Sequence, residues 1–256
     1  MTDSRVASIG PLLVSVAGGY LRNVGNRPGT CATCRTPTRS MPRCSQCEVR
    51  VGMAGLPDAL GFMIYAGFLD PIHQAGRVMW DYKNPSLNSK SALGVVGLLA
   101  ALGLTGHVAC LTRVVGTPVD AWATVPSLPP KPERPCHPLN LITERLSSQG
   151  SIQVQLQGAP EPVNPRSVSA DHFTVTSNNA GGRHVLLIDD TWTSGGHALS
   201  ATLALRGAGA NHVSVLVLAR WLTLGWEATT QEWARAALSS PDFDPEVCPW
   251  TQGLCP

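Results

Sequence analysis

Two adjacent carboxylates, Asp189 and Asp190, lie at the end of an apolar run and directly before a loop of hydroxyl residues and glycines. The loop and the start of the helix predicted after it comprise Thr193, Ser194, Gly195, Gly196 and His197. Unpaired backbone N–H groups and the helix dipole favour an anion at such a helix start, and glycine lets the backbone approach a phosphate. Carboxylates can hold a vicinal diol, directly or through a divalent metal. These groups together predict a ribose phosphate site; the alternative is a turn in which the two acids only cap the loop.

A strand–loop–helix–strand unit must position these groups. The continuous apolar run His184 to Ile188 is typical of a central parallel strand that is buried on both faces. A helix is predicted from His197 to about Arg206, ending at Gly207-Ala208-Gly209, and a second strand from His212 to Ala219. Such βαβ units place ligands at the carboxyl ends of their strands.

The pattern before and after this unit also alternates between strands and helices, which predicts an α/β fold with a parallel sheet flanked by helices. Further strands are predicted at Phe62–Tyr65, Val119–Val125 and Ile152–Leu156, and helices at Ile72–Tyr82, Ser91–Leu104, Leu139–Ser147 and Ala228–Leu238. Residues 157–182 are polar and contain glycine and proline, and a segment of this length predicts a functional loop, a candidate hood over the site.

Four cysteines near the amino terminus have the spacing of a metal site. Cys31, Cys34, Cys44 and Cys47 form C-x2-C-x9-C-x2-C, in which each pair directs two thiolates at a common point. Zinc accepts four such ligands in a tetrahedron. The alternative is disulfide formation in an exported protein. The remaining cysteines are scattered and show no partner spacing: Cys110, Cys136, Cys248 and Cys255. Five scattered histidines are interpreted as surface or packing residues: His73, His107, His137, His172 and His212.

The segment around these cysteines is basic. Between Arg22 and Arg50 six arginines stand against the single acid Glu48, a local charge of +5. A basic zinc module could contact the phosphate backbone of nucleic acid. The other interpretation is a solvated module that zinc holds together.

Composition limits the classes of function. The 256 residues have 43% hydrophobic and 14% charged residues, which excludes a disordered, solvating chain, and a net charge of +2 gives no overall field for nucleic acid or acidic lipid. No apolar run reaches the roughly 18 residues that cross a bilayer. The apolar stretch Val6 to Tyr20 lacks a basic start and a cleavage site, so a docking strand or short helix is expected there. A soluble, cytoplasmic protein is predicted.

The segment Val185 to Gly196 resembles the phosphoribosyl-diphosphate (PRPP) motif of type I phosphoribosyltransferases. Combined with the four-cysteine cluster, it resembles the ComF family of competence-associated, amidophosphoribosyltransferase-like proteins. Weaker similarities lie at Tyr82-Lys83, at the Val-Pro loop Ala123–Ser127 and at Arg166–Phe173. The resemblance implies a zinc module within residues 1–60 and a phosphoribosyltransferase-like domain over residues 61–256.

The resemblance also implies roles for individual residues. Asp189 and Asp190 would hold the ribose hydroxyls, directly or through Mg²⁺. The 5′-phosphate would lie on Thr193, Ser194, Gly195, Gly196 and His197, and the diphosphate near Ser127, Lys131 and Arg134. This sequence departs from the family pattern at His197, where a threonine is usual, and at Arg134-Pro135-Cys136-His137-Pro138, where Arg-Gly-Phe-Asn is usual.

The predicted function is binding of PRPP with Mg²⁺ and transfer of its phosphoribosyl group to a nitrogen nucleophile. The alternative is a PRPP-fold protein without turnover that uses the basic zinc module in DNA uptake or nucleic-acid handling.

Overall fold

The computed structural model describes residues 4–39, 41–51, 56–68, 73–84, 89–131, 136–146, 151–239 and 241–256. The α-helices in these residues are α1 (Ser4–Ala17), α2 (Ser45–Val51), α3 (Gln74–Asp81), α4 (Ser89–Ala101), α5 (Val108–Val115), α6 (Pro138–Leu146), α7 (Gly196–Gly207) and α8 (Gln231–Ser239). The strands are β1 (Ala59–Gly67), β2 (Ala121–Thr124), β3 (Ile152–Gln153), β4 (Leu156–Gly158), β5 (Phe173–Val175), β6 (His184–Trp192) and β7 (His212–Leu222). A π-helical turn, Leu102–Gly106, follows α4, and a 3₁₀ turn, Ala170–His172, precedes β5.

Five strands form one parallel sheet in the order β1-β7-β6-β2-β3, with helices on both faces. The predicted α/β fold is therefore confirmed. Successive residues of β6 point to opposite faces: Leu186 and Ile188 join the core under α1, α3, α4 and α6, whereas Val185 and Leu187 join the core under α7 and α8. Burial on both faces explains why β6 and β7 are apolar without alternation.

Strand β6 is longer than the sequence predicts. We expected it to end at Ile188, but it continues to Trp192, and Asp189 pairs with Val217 of β7. Thr191 pairs with Ala219 in the same ladder. Because its backbone is held in the sheet, the acidic pair belongs to the rigid end of a central strand and not to the loop.

The segment expected to be one strand and a long loop contains three short strands. β3 pairs with β2, and the Val154 N–H continues the contact by donating to the Trp122 carbonyl at 2.8 Å. The chain then leaves the main sheet, and β4 pairs antiparallel with β5. The polar stretch 157–182 is thus organised by a two-stranded ribbon, which explains how it can be held beside α7.

The stretch Val6 to Tyr20 lies mostly in helix α1, the helical one of the two expected forms, and Pro11 falls inside the helix. The expected helix Ser91–Leu104 is also present as α4 with its π-helical turn. Over Ser89–Gly106 these 18 residues are long and apolar enough to cross a membrane by length and composition, although the sequence analysis predicted no such run. Half of this window is buried within the protein, where Val96 and Leu99 contact the core.

Segments from both ends of the chain lie along β1, the edge strand of the sheet. The Tyr65 N–H donates to the Arg22 carbonyl at 2.9 Å, and the Phe62 N–H donates to the Pro249 carbonyl at 3.2 Å. Trp250 packs so closely on Gly61 that a Cβ there would lie 2.7 Å from its ring. The carboxyl-terminal tail is therefore part of the folded structure.

Candidate functional site

A cavity of about 740 Å³ opens at the carboxyl ends of β2 and β6. This volume is within the roughly 300–1,000 Å³ of small-molecule sites. It brings together nine of the residues selected from the sequence: Ser127, Lys131, Asp189, Asp190, Thr193, Ser194, Gly195, Gly196 and His197. The tenth, Arg134, lies outside the described residues. Lys83, His137, Arg166 and Trp226 line the same cavity and were not selected.

The loop between β6 and α7 requires glycine at its last position. Gly195 has a φ of +81°, and a Cβ at this position would lie 2.1 Å from the ring of Trp192. Both the backbone angle and the buried indole therefore exclude a side chain. Trp192 is itself held by an edge-to-face contact with Phe62 at 5.6 Å, as expected for a loop anchor.

The start of α7 faces the cavity with its amide groups available. Gly195 is the N-cap, and no side chain of the described residues caps this helix. Helix geometry leaves the first amides of α7 without intrahelical acceptors, and the helix dipole places partial positive charge there. Gly196 lies against the backbone of Arg166, whose carbonyl oxygen would be 2.6 Å from an added Cβ. The segment before β5 therefore covers the helix start.

Arg220, on β7, supports this loop from beneath. Its side chain is 1% exposed, and Nη1 donates to the carbonyls of Trp192 at 3.0 Å and Thr193 at 3.2 Å. Its Nε donates to the Cys34 carbonyl at 2.6 Å. One buried guanidinium thus connects the four-cysteine segment to the loop of the cavity.

A second arginine also connects the cysteine segment to the loop before α7. Arg50 of α2, the helix that contains Cys47, donates from Nη1 to the Ser194 carbonyl. Cys31, Cys34, Cys44 and Cys47 belong to the same apolar core as Trp192 and Leu199. The cysteine segment therefore packs directly against the loop, and the predicted domain boundary at residue 60 stays a prediction.

Asp190 is the centre of a charged cluster. Lys83 Nζ lies 2.8 Å from its Oδ1, His137 Nε2 lies 3.2 Å from its Oδ2, and the Tyr82 hydroxyl donates to Oδ2. Burial alone would raise the pKa of Asp190, but Lys83 and His137 outweigh it and hold the pKa well below its usual range. Asp190 is therefore ionised and bound on both oxygens.

Asp189 has the opposite character. Burial first, and then the neighbouring charge of Asp190, raise the pKa of Asp189 above its usual range. Two adjacent buried carboxylates thus differ in their affinity for a proton, because Lys83 and His137 contact Asp190 directly, whereas at Asp189 burial outweighs the charge of Lys83. This arrangement costs stability and is typical of functional sites.

His137 directly precedes α6 and is oriented by the first turn of that helix. Its Nδ1 accepts the Leu139 N–H at 3.2 Å at the start of α6, so Nε2 carries the proton that points at Asp190. The sequence analysis interpreted His137 as a surface or packing residue, which is wrong. Lys83 was noted only as part of Tyr82-Lys83, and no local signal shows that this pair reaches β6.

The four amino-terminal cysteines form a compact cluster. All four sulfur atoms lie within 4.8 Å of one another, all four residues are buried and all four are free thiols. The sulfur atoms of Cys34 and Cys44 are 3.6 Å apart. A tetrahedral zinc ion with Zn–S bonds of about 2.3 Å places its sulfur atoms about 3.8 Å apart, whereas a disulfide needs about 2.05 Å. The cluster therefore fits a zinc ion.

Two of the arginines around this cluster are buried and make contacts within the protein. Arg22 is buried, donates to the Leu21 carbonyl at 2.6 Å and pairs with Asp242 at 3.3 Å. Arg50 is buried against Ser194. The local charge of +5 is thus not one exposed surface, and these two arginines serve the fold.

Comparison with known proteins was made for families, curated proteins and solved structures. No family model matches the chain. No curated protein matches it. Among solved structures, adenine phosphoribosyltransferase from Saccharomyces cerevisiae, complexed with D-2,5-dideoxy-2,5-imino-altritol 1,6-bisphosphate and adenine, is similar with a TM-score of 0.34 and 19% sequence identity. The match covers 64% of this chain and 81% of that chain.

Proposed function

We propose that this protein binds 5-phosphoribosyl 1-diphosphate with Mg²⁺ and transfers the phosphoribosyl group to a nitrogen nucleophile. The observation that carries the proposal is the shared cavity: the anion-binding start of α7 and the carboxylates Asp189 and Asp190 line the same space. A phosphate and a diol on one pentose need these two kinds of group side by side.

The 5′-phosphate belongs at the start of α7. The amides there and the hydroxyls of Thr193 and Ser194 supply donors, and Gly195 allows the loop to pass over Trp192 into the start of the helix. His197 has a different task in this proposal. Burial lowers its pKa, and its ring is hydrogen bonded to the backbone of Pro165. This bond lets His197 hold the covering segment beside the start of α7.

The diphosphate belongs near the two lysines that line the cavity. Lys83 and Lys131 lie there together with Ser127. Carboxylate oxygens are the ligands that Mg²⁺ prefers, so Asp189 and Asp190 are the residues that would hold a Mg²⁺ ion. When bound, the ion supplies charge neutralisation for the departing diphosphate.

The reaction breaks the bond between C1 of the pentose and the diphosphate oxygen, and a nitrogen lone pair forms the new bond to C1. Positive charge develops on the sugar ring and negative charge on the leaving group. The ionised Asp190 stabilises the former, and Lys83 and Lys131 stabilise the latter, in a site whose groups are already oriented. The segment at Pro165 and Arg166 limits access of water, which would otherwise hydrolyse PRPP.

Isothermal titration calorimetry with PRPP and Mg²⁺ tests the proposal. Wild-type protein is expected to bind, and Asp189→Asn combined with Asp190→Asn is expected to lose at least tenfold in affinity, because each charge-assisted hydrogen bond contributes about 1.5–3 kcal/mol. The control is Asp120→Asn, an exposed aspartate before the amino end of β2, on the far side of the sheet, which should bind as wild type.

The outcome that contradicts the proposal is wild-type protein that gives no heat with PRPP and binds duplex DNA instead. A fall in the salt dependence of that binding on substitution of Arg35 and Arg39 would then support nucleic-acid handling. Phosphoribosyl transfer is measured separately, as release of diphosphate in the presence of ammonia, glutamine or free bases.

A further inference from the structure

A second group of metal-ligand side chains lies far from the cavity. The Nδ1 atom of His107 and the sulfur atoms of Cys110, Cys248 and Cys255 all lie within 4.8 Å of one another. His107, Cys110 and Cys248 are buried, Cys255 is exposed, and the three cysteines are free thiols. The sequence analysis found no partner spacing for these residues, because they come from two segments more than a hundred positions apart.

One half of the cluster is built by the start of α5. His107 precedes the helix and Cys110 lies in its first turn, where the Cys110 N–H donates to the His107 carbonyl at 3.1 Å. The spacing is H-x2-C, which directs two side chains of one turn at a common point, as each C-x2-C pair does in the amino-terminal cluster.

The carboxyl-terminal tail supplies the other half. A tight turn brings Cys248 and Cys255 together: the Cys248 N–H donates to the Gly253 carbonyl at 2.7 Å, and the Gln252 N–H donates to the Cys248 carbonyl at 2.8 Å. Trp250 in the same turn donates from Nε1 to the His107 carbonyl at 2.9 Å. The tail is thus bonded to the residue that provides the nitrogen ligand.

The protonation state of His107 suits a metal. Its Nε2 lies 3.0 Å from the Pro245 carbonyl oxygen, which can only accept, so Nε2 carries the proton and Nδ1 keeps its lone pair. Nδ1 faces the sulfur of Cys255 at 3.4 Å. A histidine whose second nitrogen donates to a carbonyl is the usual arrangement of a metal ligand.

We propose that His107, Cys110, Cys248 and Cys255 bind a second, structural zinc ion. Three sulfur atoms and one nitrogen form a donor set of structural zinc sites. With Zn–S of about 2.3 Å and Zn–N of about 2.05 Å, a tetrahedron separates nitrogen from sulfur by about 3.6 Å, close to the separation of His107 and Cys255. The site is independent of the proposed PRPP site.

This zinc ion fastens the carboxyl-terminal tail to the edge of the sheet. The tail covers β1 through the Phe62–Pro249 hydrogen bond and through Trp250 on Gly61. Cys248 and Cys255 lie on both sides of this contact in sequence, so an ion that holds both, together with two residues at the start of α5, closes the turn. The carboxyl-terminal tail then separates from the rest of the fold only if the metal ion dissociates.

Metal content measured by plasma mass spectrometry on full-length protein, purified without chelator, tests the proposal. Wild type is expected to hold about two zinc ions per chain. Cys110→Ser with Cys248→Ser and, separately, Cys31→Ser with Cys34→Ser are each expected to hold about one. Cys136→Ser is the control, because this exposed cysteine belongs to neither cluster, and it should keep the wild-type content.

Cys255→Ser is a second variant that is expected to fold, because this exposed residue can be changed without disturbing the core. It is expected to weaken zinc binding in competition with a chelator by at least the roughly 10–100-fold that loss of an outer-shell partner costs, while the far-ultraviolet circular dichroism stays unchanged. X-ray absorption at the zinc edge should show nitrogen as well as sulfur. One zinc ion per wild-type chain with sulfur ligands alone, or intact mass showing a disulfide between tail cysteines, would overturn the proposal.

Discussion

Arg220 donates a 2.6 Å hydrogen bond to the backbone carbonyl of Cys34, so the guanidinium that supports the cavity loop is also bound to the cysteine cluster. The same side chain reaches the carbonyls of Trp192 and Thr193. The order of the loop before α7 therefore depends on the position of the cysteines, although no cysteine is among the residues that line the cavity.

Arg220→Met should destabilise the protein by about 3 kcal/mol or more, because the four carbonyls of Cys34, Trp192, Thr193 and Trp221 lose a donor and each unsatisfied buried group costs about 1–3 kcal/mol. The measurement is the free energy of unfolding in urea. Arg145→Met is the matched control on the exposed side of α6 and should stay within about 0.5 kcal/mol of wild type. Equal effects of the two substitutions would show that Arg220 does not support the loop.

Zinc loss from the amino-terminal cluster should weaken binding of PRPP without any change in the cavity residues. Cys31→Ser with Cys34→Ser is expected to raise the Kd for PRPP about tenfold, a coupling of ordinary size between two sites. Calorimetry measures it. Cys110→Ser with Cys248→Ser is the comparison, because it alters the other cluster and should leave the Kd unchanged. An unchanged Kd in both variants would contradict the coupling.

Gly195→Ala should weaken binding of PRPP at the start of α7. Gly116 is the matched control, because its φ of +80° equals that of Gly195 within a degree, while nothing lies within 4 Å of its added Cβ. Both substitutions cost about 1–2 kcal/mol for the left-handed backbone. Only Gly195→Ala also collides with Trp192, so it should unfold at lower temperature than Gly116→Ala and bind PRPP at least tenfold more weakly.

Lys83→Met should weaken PRPP binding and turnover, because it removes a cation of the cavity and one partner of Asp190. We expect the Kd to rise about tenfold or more, because this is the change in affinity that loss of one charge-assisted contact usually causes. The chain has three lysines, and Lys90→Met is the control, since Lys90 is exposed on α4 outside the cavity. Loss of affinity in Lys90→Met of the same size would point to non-specific charge and not to this site.

Asp189→Asn should make the protein more stable at neutral pH although it loses PRPP binding. The pKa of Asp189 is raised by folding, so the native state is penalised as the pH rises above the ordinary value of 3.8, and the penalty is absent below it. The variant should therefore exceed wild type by about 1–2 kcal/mol at pH 7 and match it near pH 3. Thermal melts across this range measure the difference; a gain that persists at pH 3 would exclude ionisation as its cause.

Local patterns were sufficient to predict the centre of the fold. The βαβ unit from His184 to Ala219 is encoded by a continuous apolar run, glycine-containing breaks and a second apolar run, all within about 35 residues. The cysteine pairs are local in the same way. Strand β6 was nevertheless predicted too short, because pairing with β7 keeps Asp189 and Thr191 in the ladder despite their polarity.

Contacts between distant segments could not be predicted from local patterns. Lys83, just after α3, and His137, just before α6, both reach Asp190 on β6, and no local sequence pattern indicates that these residues meet. His107 and Cys248 are likewise brought together by the tail that lies on β1. The H-x2-C spacing at His107 was visible in the sequence but has little meaning without the two tail cysteines.

The coverage of β1 by segments from both ends of the chain limits strand pairing between two copies of this protein at this edge of the sheet. The backbone groups of Phe62 and Tyr65 are already bonded to Pro249 and Arg22, so a strand from a second molecule finds this side of the sheet taken. A fusion tag attached after Pro256 would strain the carboxyl-terminal segment that covers β1. Removal of that segment would expose the long apolar edge strand and favour aggregation.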